Sequence, residues 1–203
     1  VGPVEDTLVT ELAHDEVLVG VLGSRALAAT PDVLGHVARA VVTTSRRPLI
    51  VVPPDSTPLT GSDQRFLVPL DGRSRTSRAV SPLLAELIQP MGTIVPLHVF
   101  DTENVPMLIS SSQDQAVLAD EFAALHLGPA VPVTIRPRLR IGEPVHEILE
   151  AIRRDEVDAV VIGWSQHLDP GRATVIRALL ADGRVPVVLQ PVDAASPDDI
   201  ASP

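Results

Sequence analysis

The chain has no cysteine and no tyrosine, and only three phenylalanines and one tryptophan in 203 residues. Without cysteine there is no disulfide, no thiol chemistry and no cysteine-held metal. The six histidines, at positions 14, 36, 98, 126, 146 and 167, show no paired ligand spacing, so no metal is expected. No apolar run reaches the roughly 18 residues of a membrane span, and the start carries no signal-peptide pattern. The sequence reading is therefore no membrane and a cytoplasmic location. A formal charge of −10 argues against nucleic acid as a partner, because a phosphate backbone needs cations. What is abundant is aliphatic. The chain is 45% hydrophobic, so its core must be Val, Leu, Ile and Ala, as in a buried parallel sheet covered by helices. It opens on Val1 rather than Met, so the natural start is expected elsewhere.

Against that background the sequence repeats itself. Residues 15–23 read DEVLVGVLG and residues 155–163 read DEVDAVVIG, an offset of 140. Without gaps, residues 2–23 align with 142–163. Asp15, Glu16, Val17, Val21 and Gly23 meet Asp155, Glu156, Val157, Val161 and Gly163. Leu8, Val9, Leu12 and Leu22 meet Ile148, Leu149, Ile152 and Ile162. These apolar positions fall at helical spacing before the aspartate and in a strand-like run after it. Beyond a gap of two residues, LIVVP after Pro48 meets VVLQP after Pro186. Each copy reads helix, strand, glycine turn, helix, strand. So long a period means two related domains, not a solenoid.

Along the chain, residues 4–13 predict a helix and 16–22 a strand. TPD at 30–32 starts a helix running to about Ser45: Thr30 caps, Pro31 suits the first turn and Asp32 complements the dipole. Residues 48–52 are a strand. PPDSTPLTGSDQ, at 53–64, has the composition of a linker. A second series then begins. Strands are expected at 65–70, 93–100, 131–142, 158–163 and 185–191, and helices at 74–89, 112–126, 142–157 and 173–182. Strict alternation with apolar strands implies an α/β fold with a doubly wound parallel five-stranded sheet. The acidic, small-residue end, VDAASPDDIASP, reads as a disordered tail.

Four stretches in this order resemble the universal stress protein family. FLVPLDGRSRTSRAV is similar to its first strand, Asp turn and helix, and LHVFD to the end of its second strand. IGEPVHEILEAI is similar to the glycine-proline start of its third helix, and VVIG with VPVVLQP to its last two strands. The resemblance implies a Rossmann-like tandem protein. Residues 1–54 would be the C-terminal half of a first domain, 55–64 a linker, 65–191 a complete domain and 192–203 the tail. The offset of 140 is then one domain plus its linker.

Nucleotide-binding members of that family carry G-x2-G-x9-G-[S/T] after the fourth strand. Glycines admit the phosphates, and the following helix offers its N–H groups. In the second copy Gly163 fits, Gln166 replaces the second glycine, and Ala173-Thr174 stands for the final pair in a loop three residues short. In the first copy Gly23 fits, Ala26 replaces the second glycine, and Gly35-His36 ends a loop one residue short. Asp71 matches the family's adenine-side acid and Val99 the apolar residue ending the second strand. Arg172 could pair with phosphate, whereas Asp169 would repel it. The site thus reads as degenerate: Asp71, Val99, Gly163, Arg172, Ala173, Thr174, Gly23 and Gly35 are its candidate residues.

Asp71, Trp164, His98 and three arginines also have plainer readings. Asp71-Gly72 is a common strand-exit turn whose aspartate caps a helix. Trp164 either stacks on a base or packs over strand ends. His98 reads as a satisfied histidine rather than a catalyst. Arg136, Arg138 and Arg140 alternate, which suits a protected edge strand or a patch for an acidic partner.

No catalytic constellation appears: there is no nucleophile elbow, no P-loop and no pyrophosphatase loop after the first strand. The expected function is a stress-response module, non-catalytic, with no cofactor, acting through domain pairing or dimerisation and an unknown protein partner. The alternatives are an ATP or AMP sensor, with or without Mg, and a weak nucleotide hydrolase. The two final strands are apolar edges in the family's strand order. Residues 48–53 are expected to pair antiparallel with 185–190, as a homodimer or an intramolecular pseudo-dimer.

Overall fold

The computed structural model describes residues 3–24, 34–56, 58–59, 63–101, 112–127, 131–132, 135–168 and 173–192. Short aliphatic runs separated by Gly, Pro and Asp turns set the strands, and longer amphipathic stretches set the helices. In chain order the elements are α1 (Val4–Leu12), β1 (Gly20–Gly23), α2 (His36–Thr44), β2 (Leu49–Val52), β3 (Gln64–Leu70), α3 (Ser74–Met91) and β4 (Gly92–Phe100). Then follow α4 (Ser112–His126), β5 (Arg138–Ile141), α5 (Pro144–Arg154), β6 (Ala159–Trp164), α6 (Thr174–Asp182) and β7 (Val187–Pro191).

The strands form one sheet in the order β1-β2-β7-β6-β3-β4-β5. Every neighbouring pair is parallel except β2 with β7, which run antiparallel with Leu49 opposite Leu189, Ile50 opposite Val188 and Val51 opposite Val187. The pairing expected of residues 48–53 with 185–190 is therefore formed within the chain. From β3 the chain winds outward through β4 and β5, then returns to the other side of β3 for β6 and β7. The switch point lies between β3 and β6, where a doubly wound sheet opens its ligand crevice.

Central strands are apolar on both faces because helices cover both. Five consecutive β3 residues, Phe66 to Leu70, are buried. One face of the sheet packs with α5 and α6 through Leu67, Leu97, Val160, Ile162 and Leu189. The opposite face packs with α3 and α4 through Phe66, Val68, Val80, Leu84, Phe122 and Val161. Helix α5 shows how the sequence sets this. Glu143 caps it, accepting from the N–H groups of Val145 and His146 at 3.0 and 2.7 Å, with Pro144 in the first turn and Arg153 and Arg154 in the last. Ile148, Ala151 and Ile152, spaced three and four apart, are the stripe it buries.

Two strands are shorter than their sequence patterns. Of residues 16–22 only those from Gly20 onward are in the sheet, and Leu18 and Val19 are exposed. Among the described residues of 131–142 only Arg138–Ile141 form a strand, and Pro132 and Pro137, which have no N–H to give a ladder, lie before them. The helix start at Thr30–Asp32 and the tail at 193–203 lie outside the described residues.

Candidate functional site

A cleft of about 400 Å³ opens at the switch point, over the C-terminal ends of β3, β4 and β6. Its size is that of a small-molecule site. Aliphatic side chains form most of its wall: Leu70, Leu97 and Val99 from the strands, Ile148 from α5, and Val175 and Ile176 from α6. The polar lining comes from Asp71, Arg73, Arg75 and Thr76 at the start of α3, and from Ser165 and Thr174 on the other side. Among the described lining residues two guanidinium groups face one carboxylate, a local excess of positive charge in a chain of formal charge −10. That balance suits an anionic ligand.

Asp71 follows the end of β3 and starts the turn into α3. Its Oδ1 accepts from the backbone N–H of Arg73 at 3.0 Å, and its Oδ2 accepts from the Thr76 hydroxyl at 3.1 Å. The Arg73 Nε lies 3.7 Å from Oδ2. The aspartate thus ties the turn and also lines the cleft, so its two sequence readings coexist. Thr76, a buried polar residue that carried no sequence signal of its own, holds the carboxylate in place.

The loop from β6 to α6 forms the opposite wall. Gly163 lies where α3 closes on the sheet. A Cβ there would sit 2.7 Å from Thr76 Cγ2 and 3.1 Å from a methyl of Val80 and of Val192. The glycine therefore serves close packing of α3, and through Thr76 it supports Asp71. Gln166 and Ala173, standing where the nucleotide pattern has glycines, both adopt left-handed backbone, with φ of +62° and +49°. The loop keeps the glycine conformation and has lost the glycine. The Gln166 side chain donates to the carbonyl oxygen of Ser45 at the end of α2. Arg177 donates to the Leu168 carbonyl at 2.9 Å and ties the same loop to α6. Ala173, the N-cap residue of α6, has no side-chain oxygen to offer the first N–H groups of that helix.

The cleft brings together Asp71, Val99, Gly163, Ala173 and Thr174 of the expected site. Gly23 and Gly35 are elsewhere, at the end of β1 and the cap of α2. Arg172 and Asp169 lie outside the described residues. Ile148 and Val192 also line the cleft and were missed in the sequence, because their apolar patterns signal core and nothing more.

Trp164 packs over the strand ends, only 4% exposed, and its indole nitrogen has no hydrogen-bond partner among the described residues. His98 Nδ1 lies 2.8 Å from the Leu70 carbonyl oxygen, and its ring stacks on Phe122, which contacts His126 in turn. Burial, then the nearby His98, push the His126 pKa down, while Asp71 opposes this. The three alternating arginines make no common patch. Arg136 pairs with Asp120 of α4 at 2.8 Å, whereas Arg138 and Arg140 turn to Asp155 and to Glu147 of α5, at 2.5 and 3.3 Å.

Comparison with known proteins places this geometry. The model of the universal stress protein family matches residues 64–191. A universal stress protein from Archaeoglobus fulgidus DSM 4304 superposes with a TM-score of 0.62 at 17% identity, over 93% of this chain and 65% of that one. A functionally unknown protein from Pseudomonas aeruginosa PAO1 superposes with a TM-score of 0.65 at 12% identity, over 99% of this chain and 71% of that one. This chain thus spans about two thirds of the length of these structures. No curated protein matches the sequence.

Proposed function

The chain belongs to the universal stress protein family, and from that premise we propose a non-catalytic stress-response module with a weakened adenine-nucleotide site at the switch-point cleft. The observation that carries this reading is the backbone at Gln166 and Ala173. It has the left-handed shape a glycine loop uses, but each position carries a Cβ that a glycine loop lacks. A helix N-terminus whose N-cap residue is an alanine, and two arginines, favour an anion. The short loop and its side chains disfavour a polyphosphate. A nucleoside monophosphate suits both facts better than ATP, with the base against Val99 and Asp71.

The non-catalytic part of the reading is supported by Asp71. It is the sole carboxylate among the described lining residues, and both its oxygens already accept hydrogen bonds from the turn. The repeat and the antiparallel β2–β7 seam support reading residues 1–54 as half of a first domain. That half docks on the complete second domain, 65–191, as an intramolecular pseudo-dimer.

Calorimetric titration with AMP and ATP, with and without magnesium, tests this. The expected result is AMP binding with a Kd of about 10 μM or weaker, ATP no tighter, and no product formed. Sub-micromolar ATP binding that Thr174→Val abolishes would overturn it in favour of a nucleotide sensor.

A further inference from the structure

Trp164 is the one tryptophan of the chain, and it ends β6 as a residue of the cleft wall. Its main chain is committed to the sheet: it lies opposite Pro191 of β7, and its carbonyl oxygen accepts from the Val192 N–H at 2.9 Å. Side chains alternate along a strand, so Trp164 shares a face with Ile162, while Gly163 faces α3. On that face Trp164 belongs to the same buried cluster as Leu97, Ile148 and Ile176, which also line the cleft.

An indole can only donate a hydrogen bond. The Trp164 residue is 4% exposed, and its nitrogen finds no acceptor among the described residues. Buried donors are nearly always paired, because an unmade bond forfeits the hydration given up on burial. The Nδ1 of His126 also lacks a partner, but His126 does not line the cleft. The repeat does not require the group for its fold. At the matching position the first copy has Ser24, whose hydroxyl turns back to the Val52 carbonyl of the neighbouring strand at 3.5 Å.

We propose that the Trp164 indole N–H is a ligand-binding donor of the cleft and takes a phosphate oxygen of the bound nucleotide, a role that rests on the nucleotide reading given above. Trp164 adjoins Ser165 in the loop to α6, on the side of Ala173 and Thr174, whereas the base side is built by Asp71 and Val99 at the ends of β3 and β4. The two guanidinium groups of the lining favour an anionic acceptor over a neutral one. A hydrogen bond to an ionised oxygen is also about twice as strong as one between neutral groups. The indole thus gives from a side chain a donor of the kind that a glycine loop gives from its backbone. In this way the loop holds a single phosphate although Gln166 and Ala173 stand in place of its glycines. Because the nitrogen is covered, binding includes a small movement of the indole or of the aliphatic side chains beside it.

One tryptophan gives one indole N–H signal in a proton–nitrogen NMR spectrum, so the parent chain itself carries the test. The full chain is titrated with AMP, with adenosine and with inorganic phosphate, in parallel with calorimetry. The indole proton should move downfield with AMP and with inorganic phosphate, and stay in place with adenosine. Trp164→Phe keeps an aromatic ring and removes the donor; it should bind AMP about tenfold more weakly and adenosine as the parent does. An indole signal that stays in place while calorimetry records AMP binding overturns the inference and leaves the nucleotide reading standing. A signal that moves with inorganic phosphate while calorimetry records no AMP binding supports the donor and overturns the nucleotide reading. A signal that moves with no ligand, or as far with adenosine as with AMP, overturns the inference. So does a Trp164→Phe variant that binds AMP as tightly as the parent. If that variant does not fold, the indole signal of the parent decides.

Discussion

The side-chain amide of Gln166 donates a hydrogen bond to the main-chain carbonyl oxygen of Ser45, 121 residues away in sequence. The bond joins the β6–α6 loop to the end of α2, and so links the two copies of the repeat. Gln166 makes it from a left-handed backbone that a glycine would adopt freely.

Two opposed terms can therefore be separated at this position. Gln166→Ala loses the bond and keeps the strained backbone, and is expected to lower stability by about 1 kcal/mol. Gln166→Gly loses the same bond but relieves a strain of about 1 kcal/mol, so it should fall close to the parent. Urea midpoints of the three proteins check this. Equal losses for both variants would mean that the left-handed conformation costs nothing here.

Ala173, at φ +49°, carries the same strain without a compensating bond. Ala173→Gly is expected to stabilise the protein by about 0.5–1 kcal/mol. It also clears a Cβ from the start of α6, so AMP affinity should rise a few-fold. Thermal unfolding and calorimetry read the two effects separately. A destabilised variant would place the cost in chain entropy rather than backbone strain.

The strand order of residues 64–191 and the antiparallel seam were legible because they rest on apolar runs, turn residues and a repeat. Those signals survive in any close-packed aliphatic core. The site was less legible for physical reasons. The replacement of glycine at 166 and 173 was visible, but the retained left-handed backbone was not, since nothing in a Gln or Ala announces a positive φ. Thr76 reads as an ordinary helix residue until the fold brings it to both Asp71 and Gly163. The alternation of Arg136, Arg138 and Arg140 suggested one face, yet Arg136 precedes the strand and turns to a different helix.

His126 should make stability fall on acidification. Its neutral form is favoured by burial against Phe122 and by the nearby His98, with Asp71 acting in the opposite sense. The folded pKa thus lies below the ordinary value near 6.5, and the unfolded chain takes up the proton first. The contribution is complete above that value and is lost as pH falls from about 6.5 through the folded pKa. Urea midpoints at pH 7.5 and 5.5 should differ more for the parent than for His126→Gln. Parallel pH profiles would remove His126 as the cause.

The two repeat glycines give the sharpest contrast. At Gly163 an added methyl lies 2.7 Å from Thr76 Cγ2, so Gly163→Ala must push α3 away from β6. Overpacking of this kind costs about 1–3 kcal/mol. The displaced group is the side chain whose hydroxyl holds Asp71, so the cleft should lose AMP affinity along with stability. At Gly23 the same methyl meets nothing within 4 Å. Gly23→Ala should be neutral or stabilise by about 0.5–1 kcal/mol, through the smaller backbone freedom of the unfolded chain. Nucleotide binding should not change. Chemical denaturation and AMP titration of both variants decide the matter. A loss at Gly23 as large as that at Gly163 would mean that a helix already lies over β1, and the asymmetry between the two copies would be gone.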